Sequence, residues 1–184
     1  MLWLFTDLVR LGDPLAAAAA LPRGLCGVVL RDDASPRRAA LARGLAAICR
    51  QRRNVLVVAG DAKLARAVGA GVHLRGGWRV RGMVGLRGAG LRGAGLRGLV
   101  TCSAHGVADL RRAGAAGAHV AFLSPAFATA SHPGAAGLGV ARWAAMARRA
   151  PGGLVVGALG GIDGGSVRRL PGLRCAAAIG ALAP

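Results

Sequence analysis

Eight short apolar runs, separated by loops and helical stretches, constrain this chain more than any other feature. They are Leu2–Thr6, Gly24–Leu30, Val55–Val58, Gly71–Leu74, Leu99–Cys102, His119–Leu123, Leu154–Ala158 and Arg174–Ile179. Runs of this length read as strands buried on both faces, the pattern of βα units in a parallel sheet. Eight of them favour a closed (β/α)8 TIM barrel of the α/β class over an open sheet. The 184 residues fall below the ~200–250 usual for such a barrel. The helices are therefore expected to be trimmed, with no full helix after the last strand, in a single domain spanning 1–184.

Between the runs, Pro36–Gln51 is the clearest helix, with Ser35 as N-cap and Pro36 at the first helical position. Asp61–Val68, His105–Ala115, Val140–Ala150 and Gly164–Leu170 are the other expected helices. Residues 75–98 form a Gly/Arg-rich segment, and Gly85–Gly98 repeats Gly-Leu-Arg-Gly-Ala nearly three times. Each glycine costs about 1 kcal/mol against alanine in a helix. A five-residue period also matches neither helix nor strand. The segment reads as a degenerate fourth crossover; a flexible cationic lid is the alternative.

Two stretches carry the first hint of chemistry. Leu123-Ser-Pro-Ala-Phe-Ala-Thr-Ala-Ser-His-Pro133 and Leu154-Val-Val-Gly-Ala-Leu-Gly-Gly-Ile162 each begin as a strand and break into small and polar residues. Ligands of α/β barrels bind on the loops leaving the C-terminal strand ends. Unpaired N–H groups at Gly160 and Gly161 suit a phosphate, with Thr129, Ser131 and His132 lining the other side. The bland alternative for the two glycines is a tight turn.

A formal net charge of +18, almost all arginine because Lys63 is the only lysine, would attract polyanions. The arginines are nevertheless spread along helical segments without interleaved aromatics, and no zinc-finger, basic-zipper or helix-turn-helix pattern appears. A solvated arginine face is the simpler reading, and no specific nucleic acid is expected. Cys26, Cys49, Cys102 and Cys175 are dispersed, without metal spacing, and read as core thiols; Cys102, beside Ser103, is the one worth testing for reactivity. No apolar stretch reaches the ~20 residues needed to span a bilayer. An early Asp7 without a basic leader argues against a signal peptide, so a cytoplasmic protein is expected.

Six segments, in order, resemble the thiamine phosphate synthases and their thiazole-tautomerase (TenI-like) relatives. They are Leu4-Phe-Thr-Asp7, Gly27-Val-Val-Leu-Arg31, Gly71-Val-His-Leu74, Thr101-Cys-Ser-Ala-His105, Leu123-Ser-Pro-Ala-Phe-Ala-Thr129 and Leu159-Gly-Gly-Ile162. The resemblance implies joining a pyrimidine pyrophosphate to a thiazole phosphate, giving thiamine phosphate and pyrophosphate. It implies Arg31 and Ser103 on the pyrophosphate side, with His132 at the position of a loop lysine. Thr129 and Ser131 would lie near the thiazole phosphate and the pyrophosphate, and Gly160 and Gly161, with the backbone at Ile179 and Gly180, would hold the thiazole phosphate. It also implies Mg²⁺, with small phosphorylated substrates as partners; a homo-oligomer is compatible with it.

The chain departs from the family pattern at several places. Val29 and Asp33 stand where the family has glutamine and lysine, Ala59-Gly60 where it has Asn-Asp, and Trp78 where it has a second metal-binding aspartate. Asp61 could serve as a metal ligand only through a one-residue shift, and its other reading is a helix N-terminal residue. With no glutamate and seven aspartates, hard-cation ligands are scarce. His73 reads either as a packed histidine or as a catalyst, Arg31 as an anion ligand or as an ion pair with Asp7 or Asp61, and His105 as a helix start. Three functions stay open: a synthase, a tautomerase-like or catalytically reduced relative, and a basic polyanion-binding barrel. The family's tautomerase histidine falls at Pro125, so His132 or His105 would have to replace it.

Overall fold

The computed structural model describes residues 1–32, 35–75, 98–129, 134 and 136–182. Eight parallel strands close in sequence order into a barrel: β1 (Leu2–Phe5), β2 (Cys26–Leu30), β3 (Val55–Ala59), β4 (Gly71–Leu74), β5 (Val100–Ala104), β6 (Val120–Leu123), β7 (Val155–Leu159) and β8 (Ala176–Ala178). Pairing of Leu2 with Cys26 on one side and with Ala176 on the other shuts the ring. The expected α/β barrel is therefore the observed one.

Side-chain alternation divides the apolar residues into two cores. Trp3, Phe5, Val29, Val57, Val120, Phe122, Cys175 and Ala177 fill the barrel, while Leu4, Val28, Leu30, Val58, Leu74, Cys102 and Leu123 face the helices. Three rings dominate the interior: Phe122 meets Trp3 at 5.4 Å and Phe5 at 4.9 Å, both edge to face. Such pairs add about 0.5–1.5 kcal/mol to simple burial. Their bulk demands small residues opposite. A β-carbon on Gly27 would lie 2.4 Å from the Trp3 ring, and one on Gly157 would lie 2.9 Å from Phe122.

The outer layer contains α1 (Leu8–Leu11), α2 (Pro14–Ala20), α3 (Arg38–Arg52), α4 (Ala62–Ala67), α5 (Val107–Ala115) and α6 (Gly139–Ala147). The sequence reading passed over α1 and α2, which begin where the Asp7 and Asp13 carboxylates accept backbone N–H groups. Helix α3 starts two residues later than expected. The Ser35 hydroxyl accepts from the N–H of Arg37, 3.2 Å away, so Ser35-Pro36-Arg37 forms a turn that leads into the helix. The expected helix Gly164–Leu170 shrinks to a 3-10 turn at Val167–Arg169. The Asp163 carboxylate takes the N–H groups of Gly165 and Ser166, and the Ser166 hydroxyl bonds the Gly161 carbonyl; side chains thus compete with the helical ladder. After β8 the described chain makes a 3-10 turn at Gly180–Leu182. Most of the 75–98 segment, including the repeat that suggested a degenerate fourth crossover, lies outside the described residues.

Candidate functional site

The C-terminal ends of the strands form a rim with two chemically different sides. On the side of β2, β4 and β5, alternation carries Arg31, His73, Arg75 and Ser103 into line with the inward residues Val29, Phe5 and Thr101. The Arg31 guanidinium lies 6.0 Å from the Phe5 ring centroid. Its backbone is fixed from below by a bond from the Arg31 N–H to the Thr6 hydroxyl at 2.9 Å; that hydroxyl donates to Asp32 at 2.5 Å, and Asp32 also accepts from the N–H of Leu8. Among the described residues Arg31 pairs with neither Asp7 nor Asp61. Asp7 caps α1 and faces Arg10, while Asp61 caps α4 by accepting from the N–H of Leu64.

Arg75 went unnoticed in the sequence. It follows His73 by two residues and leaves β4 in the same inward phase. Its side chain passes beside Gly60, where a β-carbon would lie 3.8 Å from Cδ and Nε, and its Nη2 donates to the Arg31 carbonyl oxygen at 2.7 Å. The signal that could have found it is the two-residue period of β4.

Beneath the two guanidiniums lies His73, 2% exposed. Its Nδ1 is 2.8 Å from the Thr101 hydroxyl and its Nε2 is 3.0 Å from the Ser103 hydroxyl. Burial pushes its pKa down to about 3, with Arg75 and then Arg31 adding electrostatic opposition to a positive charge. His73 is thus neutral and carries one N–H. Thr101 is fully buried, and His73 is its only side-chain hydrogen-bond partner among the described residues. A buried hydroxyl donates where it can, so Thr101 donates to Nδ1. The proton then sits on Nε2, which donates to Ser103 and leaves the Ser103 O–H directed elsewhere. The packed-histidine reading fits, although the partners are hydroxyls and not backbone.

The second side lies at the ends of β6, β7 and β8. The N–H groups of Ala126 and Phe127 donate to the carbonyls of Leu159 and Gly160 at 2.8 and 3.0 Å, which clamps the β6 loop onto the β7 loop. Gly160 and Gly161 both have positive φ, 90° and 64°. A β-carbon on Gly161 would come within 2.4 Å of the Ala128 carbonyl oxygen. Both glycines are therefore required by the turn and by the close approach. Among the described residues the N–H groups of Gly160 and Gly161 reach no acceptor, so the turn also leaves donors at the rim. Leu159 pairs with Ala177, so Gly160 and Gly161 leave β7 at the same end of the barrel at which Ile179 and Gly180 leave β8. Thr129, in the β6 loop, is half-buried; Ser131 and His132 lie outside the described residues.

His105 sits at the end of β5 instead of inside α5. Its Nδ1 lies 2.9 Å from the Ser124 carbonyl oxygen, and its N–H donates to Asp109 at 2.7 Å. Cys102 is no candidate nucleophile, because burial raises its thiol to about 12, with Asp109 adding to the effect.

Among the described residues the donor set does not suit a divalent cation. Among the described residues no three His, Cys or Asp side chains converge. Asp7, Asp32 and Asp61 at the rim all spend carboxylate oxygens on backbone N–H groups. A hard cation such as Mg²⁺ wants several oxygen ligands in octahedral array, and no such array is formed by them.

Comparison with known proteins agrees with the barrel fold. A thiamine phosphate pyrophosphorylase from Pyrococcus furiosus has the same fold, with a TM-score of 0.73 at 19% identity over 97% of this chain and 84% of that one. A designed cube-shaped protein cage of fused symmetric domains matches at 0.64 and 13% identity, over 100% of this chain and 63% of that one. FabK from Thermotoga maritima matches at 0.51 and 15% identity, over 98% and 58%. No protein of curated function is detectably similar in sequence. The thiamine monophosphate synthase family, in contrast, matches residues 12–182. With a match across most of its length, this chain belongs to the thiamine monophosphate synthase family.

Proposed function

We propose that the barrel binds a phosphorylated thiazole and a pyrimidine diphosphate and joins them into thiamine phosphate. In that reaction the thiazole nitrogen forms a bond to the pyrimidine methylene carbon. The bond from that carbon to the diphosphate oxygen breaks, and pyrophosphate leaves with the electron pair. Negative charge grows on the departing oxygen, so the catalytic task is to stabilise it with donors already in place. Arg31 and the Ser103 hydroxyl stand on that side of the rim. The amides of Gly160 and Gly161, with the neighbouring backbone at Ile179 and Gly180, suit the thiazole phosphate, and Thr129 stands at the loop beside them.

The observation that carries this reading is the division of the rim into a guanidinium-and-hydroxyl side and an amide-donor side. The test is a turnover assay with both substrates, with and without Mg²⁺, repeated on Arg31→Ala. Thiamine phosphate formation by the parent protein, reduced at least tenfold in the variant, supports it. No product above background, with thiazole phosphate still bound, favours a binding or tautomerase-like role. One feature speaks for that second role: the exposed His105 ring, at the end of β5, is held by its Nδ1 against the Ser124 carbonyl oxygen at 2.9 Å. If nucleic acid bound tightly at physiological salt while thiazole phosphate did not, both readings would fall.

A further inference from the structure

We infer that Thr101 and His73 are positioning residues that hold the Ser103 hydroxyl as a donor toward the open rim, where it takes a phosphate oxygen as its acceptor. The inference deepens the proposed function and rests on its assignment of this side of the rim to the diphosphate.

Strand register brings the three residues together. His73 of β4 pairs with Thr101 of β5, and Ser103 follows on the same face of β5, two residues nearer the rim. The imidazole therefore spans both hydroxyls, with Nδ1 2.8 Å from Thr101 and Nε2 3.0 Å from Ser103. Phe5 meets the ring edge to face at 5.4 Å and Phe122 packs at 6.1 Å, which holds the imidazole in this plane.

Each hydroxyl has one proton, and the buried end of the row decides where the protons point. Thr101 is fully buried and its side chain bonds no other group among the described residues. If Nδ1 carried the ring proton, the threonine O–H would be buried without an acceptor, the unfavourable outcome for a polar group. Thr101 therefore donates to Nδ1, Nε2–H donates to Ser103, and the Ser103 proton is left for an acceptor at the rim. Among the described residues the half-buried Ser103 side chain bonds only His73, so they do not supply that acceptor.

The opposite tautomer would turn the serine proton inward to Nε2 and leave its lone pairs facing an incoming phosphate. Thr101, too deep for any substrate to touch, thus sets whether the rim offers phosphate a donor or a repelling lone pair. The ring stays neutral because burial first, then the charges of Arg75 and Arg31, oppose a second proton. A donor fixed before the substrate arrives needs no reorientation when charge grows on a departing oxygen.

The test uses the full chain. Ring ¹⁵N spectra of the free protein report the His73 tautomer without any substitution, and calorimetry in excess Mg²⁺ reports the affinity for inorganic pyrophosphate. The parent should show Nε2–H. Thr101→Val should lose that signature and bind pyrophosphate about threefold to tenfold more weakly, the effect of one net hydrogen bond. Thr101→Ser, which restores the hydroxyl, should recover both. Ser103→Ala should weaken binding at least as much as Thr101→Val, and adding Thr101→Val to it should change affinity less than about twofold, because a positioning residue acts only through its partner. An Nδ1–H tautomer in the parent would overturn the inference. So would Ser103→Ala with unchanged affinity, or a Thr101→Val loss of equal size with and without Ser103. The two readings separate: a parent that shows Nε2–H and binds no pyrophosphate sinks the diphosphate assignment. A parent that binds pyrophosphate with the Nδ1–H tautomer sinks the positioning alone.

Discussion

His73 bridges two hydroxyls of the neighbouring strand, with Nε2 of its ring 3.0 Å from the Ser103 oxygen and Nδ1 2.8 Å from that of Thr101. The relation links a fully buried threonine to a serine at the open rim. It predicts the Nε2–H tautomer of His73, readable from ¹⁵N shifts of the ring, and no protonation between pH 8 and roughly pH 4. Thr101→Val should remove the Nδ1 partner and weaken pyrophosphate binding about threefold to tenfold, the effect of losing one net hydrogen bond.

Acid stability follows from the same residue. Unfolded, the imidazole titrates near its usual 6.5; folded, burial and the two arginines hold it at about 3. Between these values the unfolded chain binds a proton that the folded chain refuses, so stability rises with pH there and falls on acidification. The contribution at pH 5 relative to pH 7 is about 2 kcal/mol. Urea unfolding of the parent and of His73→Asn at both pH values checks it; the parent should lose the larger amount.

The barrel interior sets a second stability prediction. Phe122 is fully buried between Trp3 and Phe5. Phe122→Ala should cost about 3–5 kcal/mol, measured by chemical denaturation. Gly157→Ala, at the position that accommodates the same ring, should cost about 1–3 kcal/mol through overpacking.

The four cysteines should be inert in the native state. All are buried, and burial raises each thiol, Cys49 to about 11 and Cys102 to about 12. A thiol reagent should label fewer than one of them per folded chain at pH 8, and all four after denaturation.

Gly161→Ala should disturb the rim without unfolding the barrel. The new β-carbon would meet the Ala128 carbonyl at 2.4 Å in a backbone with φ 64°. Thiamine phosphate binding is expected to drop at least tenfold while the far-ultraviolet spectrum is kept.

Most of the strands were legible because they are largely buried and read as apolar runs, from Leu2–Phe5 to Ala176–Ala178, with His73 in β4 and Thr101 and Ser103 in β5 as the polar interruptions. Family membership was legible from short segments at strand ends, where backbone geometry restricts the choice of residue. Helices α1 and α2 were not, because they are short and their signals are a capping aspartate each, with Pro14 following Asp13 at the start of α2. The false helix at Gly164–Leu170 arose because side-chain bonds from Asp163 and Ser166 outcompete the ladder there. Arg75 was hidden by its position at the edge of a Gly/Arg-biased stretch, although its phase with His73 placed it inward. The Thr101–His73–Ser103 connection joins residues 28 and 30 positions apart, and only barrel closure reveals it.

The most direct measurement is the set of backbone amide shifts during titration with thiamine phosphate at physiological salt. A rim that holds an esterified phosphate on amide donors predicts saturable shifts at Gly160, Gly161 and Gly180, with Gly117 and Gly153 at the opposite end unmoved. Shifts spread over the arginine-rich helices, with those three glycines silent, would contradict it.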